Sequence, residues 1–289
     1  MRRVLVTGAA GLIGRAVVGR LRAQGVRVTA LVLEDPGDLD ADRVVVGDAG
    51  DPAVVRAALP DVEAVAHFAA RPSPLGAAPI DVFGGNTLAT FAVLEEAGRA
   101  GIPRVMIASS YSILGISWSP HRLHPDRYPL DEHTPQQVED PYSLSKQVDE
   151  STAAMMNRRY GTTIIALRFP FVGDDHRIAE RLTATISAPG SAAMDSWAYL
   201  HVLDAAEVTW RALTVPAAGF HRVFVAAPQI LAPYATEDLI AAFHPGTPVC
   251  CPLPGRTVPI DLTAGERLLG FTARHVVEVA DRRLPATEG

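Results

Sequence analysis

The chain has 289 residues, of which 48% are hydrophobic and 20% charged, and its formal net charge at pH 7 is −6. This acidic balance argues against nucleic acid as a partner, and no apolar run is long enough for a membrane span or a signal peptide. The two cysteines, Cys250 and Cys251, are adjacent, so we expect neither a disulfide framework nor a thiolate metal site, which fits a cytoplasmic protein.

Short apolar runs alternate with helical patterns over the first two-thirds of the chain. This alternation predicts parallel strands joined by crossover helices, and therefore an α/β fold with a doubly wound parallel sheet of the Rossmann type. Predicted strands cover residues 4–7, 28–33, 44–46, 64–68, 104–108 and 163–168, and predicted helices cover 14–24, 52–59, 82–100 and 143–160.

The pattern changes after the sixth predicted strand. Residues 170–194 show no clear period, and the long Pro-rich segment 120–141 is either functional or contains short helices. Further on, we expect a strand at 221–226 and helices at 202–213, 236–243 and 263–269.

These patterns predict two domains. A dinucleotide-binding domain covers residues 1–169, and residues 202–226 return to it. A smaller, discontinuous C-terminal domain of residues 170–201 and 227–289 binds the substrate.

A glycine-rich turn, T-G-A-A-G-L-I-G, connects the first predicted strand to the first predicted helix. Gly8 permits a tight turn, Gly11 lets a ligand approach the backbone, and Gly14 allows the helix to pack close to the strand. The first helical turn, with Leu12 and Ile13, directs unpaired N–H groups at a pyrophosphate. The spacing differs from G-x-G-x-x-G, but its place between strand and helix favours dinucleotide binding over an incidental loop.

An acidic residue about twenty positions beyond such a turn commonly holds the adenosine ribose. Glu34 and Asp35 follow the second predicted strand, and no Arg or Lys lies between Arg27 and Arg43. We therefore favour Glu34 as a ribose contact and NAD as the cofactor. NADP stays open, as does the alternative that both acids belong to a solvated turn.

Two further strand ends carry candidate cofactor contacts. Asp48 follows the third predicted strand, where it can meet the adenine amino group, and small residues end the fourth, where they leave room for the cofactor. At these strand ends we assign cofactor contacts to Asp48, Ala49, Phe68, Ala69 and Ala70.

Tyr142 and Lys146 stand four residues apart and share one helical face. A lysine ammonium nearby favours an ionised phenol, which can exchange a proton with a substrate hydroxyl while a hydride moves to or from nicotinamide. Ser110, at the end of the fifth predicted strand, can hydrogen-bond the same substrate oxygen. The Tyr–Lys spacing alone is also typical of an ordinary exposed helix, but here it follows a nucleotide fingerprint and a Ser-Ser strand end.

Taken together, these motifs make the chain resemble an extended short-chain dehydrogenase/reductase of the NAD-dependent epimerase/dehydratase family. The resemblance implies a catalytic tetrad of Asn86, Ser110, Tyr142 and Lys146, with Lys146 also binding the nicotinamide ribose. It further implies a homodimer formed through the helices predicted at 82–100 and 143–160. The matching segments are TGAAGLIG (7–14), GDAGD (47–51), HFAA (67–70), residues 86–90, SSYSILG (109–115), YSLSK (142–146), LRF (167–169), YLHVLD (199–204) and RLLGF (267–271).

Departures from the family pattern bear on the substrate. Dehydratases carry a Thr-Asp-Glu run where this chain has Ser110-Tyr111-Ser112, so we set dehydration aside. Nucleotide-sugar enzymes carry an arginine where Trp197 and Ala198 stand here, which weakens the case for a nucleotide-diphosphate sugar.

The chain is also similar to uronate dehydrogenases, although Tyr111 and Ser112 replace their Asn-His pair. A uronate needs an arginine for its carboxylate, and Arg168, Arg177 and Arg181 are candidates. Apolar residues can instead line a pocket for a less polar carbonyl compound, with Phe169, Phe171 and Trp197 as candidates. As substrate contacts we assign Ser110, Tyr111, Arg168, Phe171 and Arg177.

Three functions remain open from the sequence. The first is an NAD(P)-dependent oxidoreductase that acts on a hydroxyl or carbonyl of a small sugar-like or secondary-metabolite substrate. The second is a nucleotide-sugar epimerase with tightly bound NAD, and the third a non-catalytic regulator that senses a dinucleotide.

Overall fold

The computed structural model describes residues 1–285, which form nine strands and eight α-helices within that range. The strands are β1 (Arg3–Thr7), β2 (Arg27–Val32), β3 (Arg43–Val46), β4 (Ala64–His67), β5 (Arg104–Ser110), β6 (Thr163–Phe169), β7 (Phe171–Gly173), β8 (Tyr199–His201) and β9 (Phe220–Phe224). The α-helices are α1 (Leu12–Ala23), α2 (Pro52–Ala58), α3 (Pro79–Arg99), α4 (Pro141–Tyr160), α5 (Asp175–Ser187), α6 (Val202–Thr214), α7 (Thr236–Phe243) and α8 (Thr263–Leu269).

Seven strands form one sheet in the order β3-β2-β1-β4-β5-β6-β9, and every pairing is parallel. The chain runs outward from β1 in both directions, which confirms the predicted doubly wound parallel sheet. Strand β6 is buried over all seven of its residues, as expected when helices cover both faces.

The two faces of the sheet carry separate apolar cores. On one face α1 and α6 pack together, with Val18, Leu21 and Val208 fully or almost fully buried. On the other face α2, α3 and α4 cover the sheet. After β8, which pairs with β7 outside the main sheet, the chain returns to that sheet and adds β9 as its edge strand beside β6. The division into two domains stays a prediction.

A third apolar cluster lies beyond the sheet and gathers segments that are distant in the sequence. The Pro-rich segment contributes Tyr128 and Leu130 to this cluster, where both are fully buried. Residues 120–140 contain no helix, so of the two alternatives for this segment the short helices are ruled out and a functional role stays a prediction. Helix α5, in contrast, lies where the sequence showed no clear period. Among residues 1–285, no helix combines the length and apolarity needed to cross a membrane.

Candidate active site

The glycine-rich turn between β1 and α1 leaves no room for side chains at two of its glycines. Gly8 has a φ of 65°, and a Cβ there would lie 2.7 Å from the carbonyl carbon of Phe68. A Cβ at Gly14 would collide with the carbonyl oxygen of Gly8. The turn is closed by Gly11 N–H, which donates to Gly8 O at 3.0 Å, and helix α1 begins at Leu12. Such a cradle fits a pyrophosphate at a helix N-terminus.

The other expected cofactor contacts surround this turn at the carboxyl ends of the strands. Glu34 and Asp48 are exposed, and Asp48 accepts a hydrogen bond from Gly50 N at 2.8 Å. Ala49 is buried, whereas Phe68 and Ala69 are half-buried. Ala70 is exposed.

Arg15 is a basic residue at this edge that the sequence argument did not consider. It follows Gly14 directly and forms an ion pair with Asp38 at 2.8 Å. Its charge therefore has a carboxylate partner in the loop after β2, close to Glu34 in the sequence.

Behind the turn, the buried His67 connects β1 to α3. Its Nδ1 lies 2.7 Å from Thr7 Oγ1, and its Nε2 lies 3.1 Å from Thr90 Oγ1. Thr7 Oγ1 already accepts hydrogen bonds from the N–H groups of Phe68 and Ala69, so we assign its hydrogen to His67 Nδ1. His67 Nε2 then carries the ring proton and donates it to Thr90.

Burial, with a contribution from the Lys146 charge, lowers the pKa of His67 from 6.5 to about 3. The unfolded chain therefore takes up a proton below pH 6.5 that the folded chain excludes, so stability falls as the pH decreases. We expect His67 to make the free energy of unfolding drop by about 1.4 kcal/mol per pH unit in this window. Urea unfolding at several pH values below 6.5 would measure this slope.

A His67→Gln variant should lose this share of the pH dependence, even where its stability near neutral pH is lower. His133→Gln, at an exposed histidine, is the matched control and should keep the wild-type slope. Equal slopes in the wild type and His67→Gln would contradict the assignment.

Helix α4 begins with the Tyr–Lys pair. Asp140 caps its N-terminus by accepting hydrogen bonds from the N–H groups of Tyr142 and Ser143, both at 2.9 Å. Lys146 Nζ lies 5.8 Å from the centre of the Tyr142 ring and donates to Ala108 O at 3.0 Å. The ammonium thus faces the phenol ring and is hydrogen-bonded to the end of β5, two residues before Ser110.

Ser110 and Asn86 both lie close to this helix start. Ser110 is 8% exposed, and its Oγ accepts a hydrogen bond from Ser112 N, which caps a short 3-10 helix. Asn86 pairs with both backbone groups of Arg71 and donates to Ser145 Oγ at 3.0 Å. Its amide therefore fixes the loop after β4 against the first turns of α4.

Sequence reasoning missed Asp149, which lies one turn beyond Lys146. The Asp149 carboxylate is 1% exposed, and its Oδ2 lies 3.1 Å from Lys146 Nζ. Burial lowers the pKa of Lys146, but Asp149 and, more weakly, Tyr142 and Glu150 raise it, so that the net pKa lies above its ordinary value. The i, i+3 spacing was visible in the sequence, but acidic residues at that spacing are common on exposed helices.

Two expected substrate contacts are engaged elsewhere. Arg168 is fully buried, and its guanidinium forms a two-point ion pair with Glu150 at 2.8 and 2.9 Å, so it is not free for a substrate carboxylate. Tyr111 is 2% exposed and its hydroxyl lies 2.7 Å from Ser196 Oγ, away from solvent. Both side chains therefore stabilise the fold, and we do not carry their substrate roles forward.

The remaining substrate candidates lie around β7. Phe171 is half-buried, and the guanidinium groups of Arg177 and Arg181 lie 5.6 and 5.4 Å from its ring centre. Arg181 pairs with Asp195 at 2.7 Å, whereas Arg177 is exposed and has no carboxylate within ion-pair distance in residues 1–285.

Two aromatic residues expected to line a pocket are buried in the protein instead. Trp197 is 1% exposed, and its Nε1 donates to Pro189 O inside the third cluster. Phe169 is 5% exposed and contacts the sheet core, with its ring centre 6.5 Å from that of Phe68. Of the three apolar candidates, only Phe171 keeps appreciable exposure.

Comparison with known proteins identifies relatives of this site and fold. A family model described as the NAD dependent epimerase/dehydratase family matches residues 4–227. A uronate dehydrogenase of Pseudomonas syringae pv. tomato is 29% identical over 172 residues, which cover 57% of this chain and 58% of that protein. The chain thus matches little more than half the length of this relative.

Two further similarities extend over almost the whole chain. A 3-diazoavenalumate denitrifying reductase of a Streptomyces species is 32% identical over an alignment of 300 residues, which covers 96% of this chain and 90% of that protein. Among solved structures, a short-chain dehydrogenase/reductase superfamily protein from Agrobacterium tumefaciens with bound NAD has a TM-score of 0.71 at 25% identity. That match covers 95% of this chain and 93% of the other.

Proposed function

The chain belongs to the NAD-dependent epimerase/dehydratase family, and from this premise we propose that it is an oxidoreductase that uses NAD. The reaction we propose moves a hydride between NAD and a hydroxyl or carbonyl carbon of a small molecule. The observation that carries the proposal is the buried Lys146 ammonium, 5.8 Å from the Tyr142 ring and bonded to the end of β5. Turnover assays with NAD and a panel of small hydroxy and carbonyl compounds test it; no turnover with any of them would count against it.

In this proposal Tyr142 exchanges the proton of the substrate oxygen. Bound NAD supplies or accepts the hydride at its nicotinamide ring. Lys146 stabilises the ionised phenol, and Ser110 hydrogen-bonds the substrate oxygen beside it. Asn86 holds the first turns of α4, and thereby Tyr142, against the loop after β4.

For the substrate we propose a small carboxylate. Two relatives above are named uronate dehydrogenase and 3-diazoavenalumate denitrifying reductase, and the compound in each name is a carboxylate anion. Arg177 stands without an ion-pair partner in residues 1–285, beside the half-buried ring of Phe171. An arginine of this kind can bind a carboxylate through two parallel hydrogen bonds.

An Arg177→Gln variant should therefore raise KM for a carboxylate substrate, while kcat changes little. A charge-assisted hydrogen bond contributes about 1.5–3 kcal/mol, which corresponds to an increase of about ten- to a hundred-fold. Steady-state kinetics with the acid and with its neutral amide would measure the difference.

Arg181→Gln is the matched control, because Asp195 already neutralises that guanidinium. It should change KM much less than Arg177→Gln does. Equal losses for the acid and the amide in Arg177→Gln would point to a structural role and contradict carboxylate binding.

An epimerase is the second candidate, because the family includes epimerases. An epimerase retains its NAD through turnover, whereas a dehydrogenase exchanges it. NAD that stays with the purified protein through dialysis would favour the epimerase. None of the relatives named above is a non-catalytic regulator, and this chain has both Tyr142 and Lys146.

We also propose a homodimer formed through α3 and α4. These helices pack against each other, and each exposes large apolar side chains: Leu88 is 63% exposed, Phe91 45% and Leu144 40%. Met155 continues the same face of α4 and is half-buried. Several large exposed apolar side chains on one pair of packed helices favour a protein–protein interface there.

We expect a Phe91→Glu variant to be monomeric at concentrations where the wild type is dimeric. A carboxylate at the centre of an apolar interface loses its hydration without gaining a partner. Light scattering coupled to size-exclusion chromatography would measure the mass.

Leu75→Glu, at a loop residue that is 69% exposed, is the control and should leave the mass unchanged. A wild type that is monomeric at all concentrations would overturn the dimer proposal.

A further inference from the structure

The charge of Lys146 is compensated inside the protein by a carboxylate on its own helix. Lys146 is 4% exposed and Asp149 1%, so water screens neither charge. Lys146 Nζ donates to Asp149 Oδ2 at 3.1 Å and to Ala108 O at 3.0 Å. An isolated buried ammonium tends to lose its proton, and a direct carboxylate contact opposes this.

Burial raises the pKa of Asp149 above its usual value, and the Lys146 ammonium opposes that rise. Its Oδ1 is buried and has no hydrogen-bond partner within residues 1–285, so the Lys146 ammonium is its main compensating group. The nearby Thr90 hydroxyl also lowers the pKa of Asp149, by less than burial raises it. Because Thr90 Oγ1 accepts from His67 in the assigned tautomer, its own hydrogen is free to point at the carboxylate.

The other charged and titratable groups near Lys146 are compensated or neutral. Glu150, from the same helix, forms its two-point ion pair with Arg168 of β6. His67 of β4 is neutral, because burial and the Lys146 charge lower its pKa to about 3. Among these groups, Tyr142 alone has no fixed counter-charge, and the Lys146 ammonium faces its ring.

We propose that Asp149 is the positioning residue that keeps Lys146 protonated and directed toward Tyr142. This inference rests on the proposed function for its catalytic meaning, but the ion pair can be tested without turnover. Asp149 touches neither the cofactor turn nor the reacting oxygen in this proposal; it acts through Lys146.

A feature of the sequence makes the test direct, because Lys146 is the only lysine among the 289 residues. A protein grown with lysine labelled with ¹³C at Cε gives one lysine signal in an NMR spectrum, and the shift of that signal reports protonation. We expect the deprotonation midpoint to fall by at least about one pH unit in Asp149→Asn, because the opposite charge is lost. Asp149→Ser, which also removes the charge, should give the same change and serves if the first variant folds poorly.

Asp204→Asn is the matched control, because it removes another buried carboxylate, 2% exposed, from a different helix. We expect it to leave the Lys146 midpoint at the wild-type value. A wild-type midpoint in folded Asp149→Asn and Asp149→Ser would overturn the proposal.

The pH profile of turnover supplies the second readout. In the proposed reaction Lys146 must stay protonated, so the loss of its proton sets the alkaline limb of the profile. Removing the Asp149 charge should move this alkaline limb to lower pH. A lower maximum with an unmoved alkaline limb would mean that Asp149 only supports packing. A moved NMR midpoint with no turnover in the wild type would contradict the proposed function instead.

Discussion

A Tyr142→Phe variant should lose about 10²–10⁴-fold in kcat while its affinity for NAD stays nearly unchanged. The substitution removes one oxygen and leaves the ring where it is, 8% exposed at the start of α4. Only the proton exchange with the substrate oxygen is then lost, so substrate binding changes less than turnover. Stopped-flow or steady-state measurement of hydride transfer, with NAD binding followed by calorimetry, would separate these effects.

Tyr160→Phe makes the same chemical change at the last residue of the same helix and should retain turnover. If Tyr142→Phe keeps wild-type activity, the acid–base role of Tyr142 is wrong. If instead it loses NAD affinity and turnover together, the phenol supports the cofactor site rather than the chemistry.

A Gly14→Ala variant should bind NAD about ten- to a hundred-fold more weakly. The added Cβ would collide with the Gly8 carbonyl oxygen, which is backbone and cannot rotate away. Relief requires a shift of the turn that forms the proposed pyrophosphate site, and such overpacking costs about 1–3 kcal/mol. Fluorescence titration with NADH and calorimetry with NAD would measure the loss.

Gly19 supplies the control on the same helix, because a Cβ there meets no atom within 4 Å. Gly19→Ala should retain NAD affinity and raise stability by up to about 1 kcal/mol, since alanine favours a helix over glycine. Unchanged NAD affinity in Gly14→Ala would show that the cofactor does not depend on this turn.

Much of the parallel sheet could be predicted because its signals are local. Fully buried strands produce continuous apolar runs, and the intervening helices show their own period, so all six predicted strands of the first 169 residues are present within a few residues of their expected ends. The glycine turn is only partly local: a side chain at Gly14 would clash with Gly8 and Ala9, whereas one at Gly8 would clash with Phe68 at the end of β4.

The roles of polar and aromatic side chains could not be predicted in the same way, since they depend on partners far along the chain. Arg168 is occupied by Glu150 from α4, and Tyr111 by Ser196, 85 residues away. Trp197 belongs to a cluster built from the Pro-rich segment and the C-terminal part of the chain. Such pairings follow from the folded topology and leave no period in the sequence.

The hydroxyl of Ser196 lies between those of Tyr111 and Tyr128, at 2.7 and 2.9 Å. Tyr111 immediately follows Ser110, so the strand end that carries a proposed catalytic hydroxyl is linked mechanically to a buried serine outside the sheet. Ser196 itself has a left-handed backbone, with a φ of 50°. A displacement of Ser196 would therefore shift the Tyr111 side chain, and through it the backbone next to Ser110.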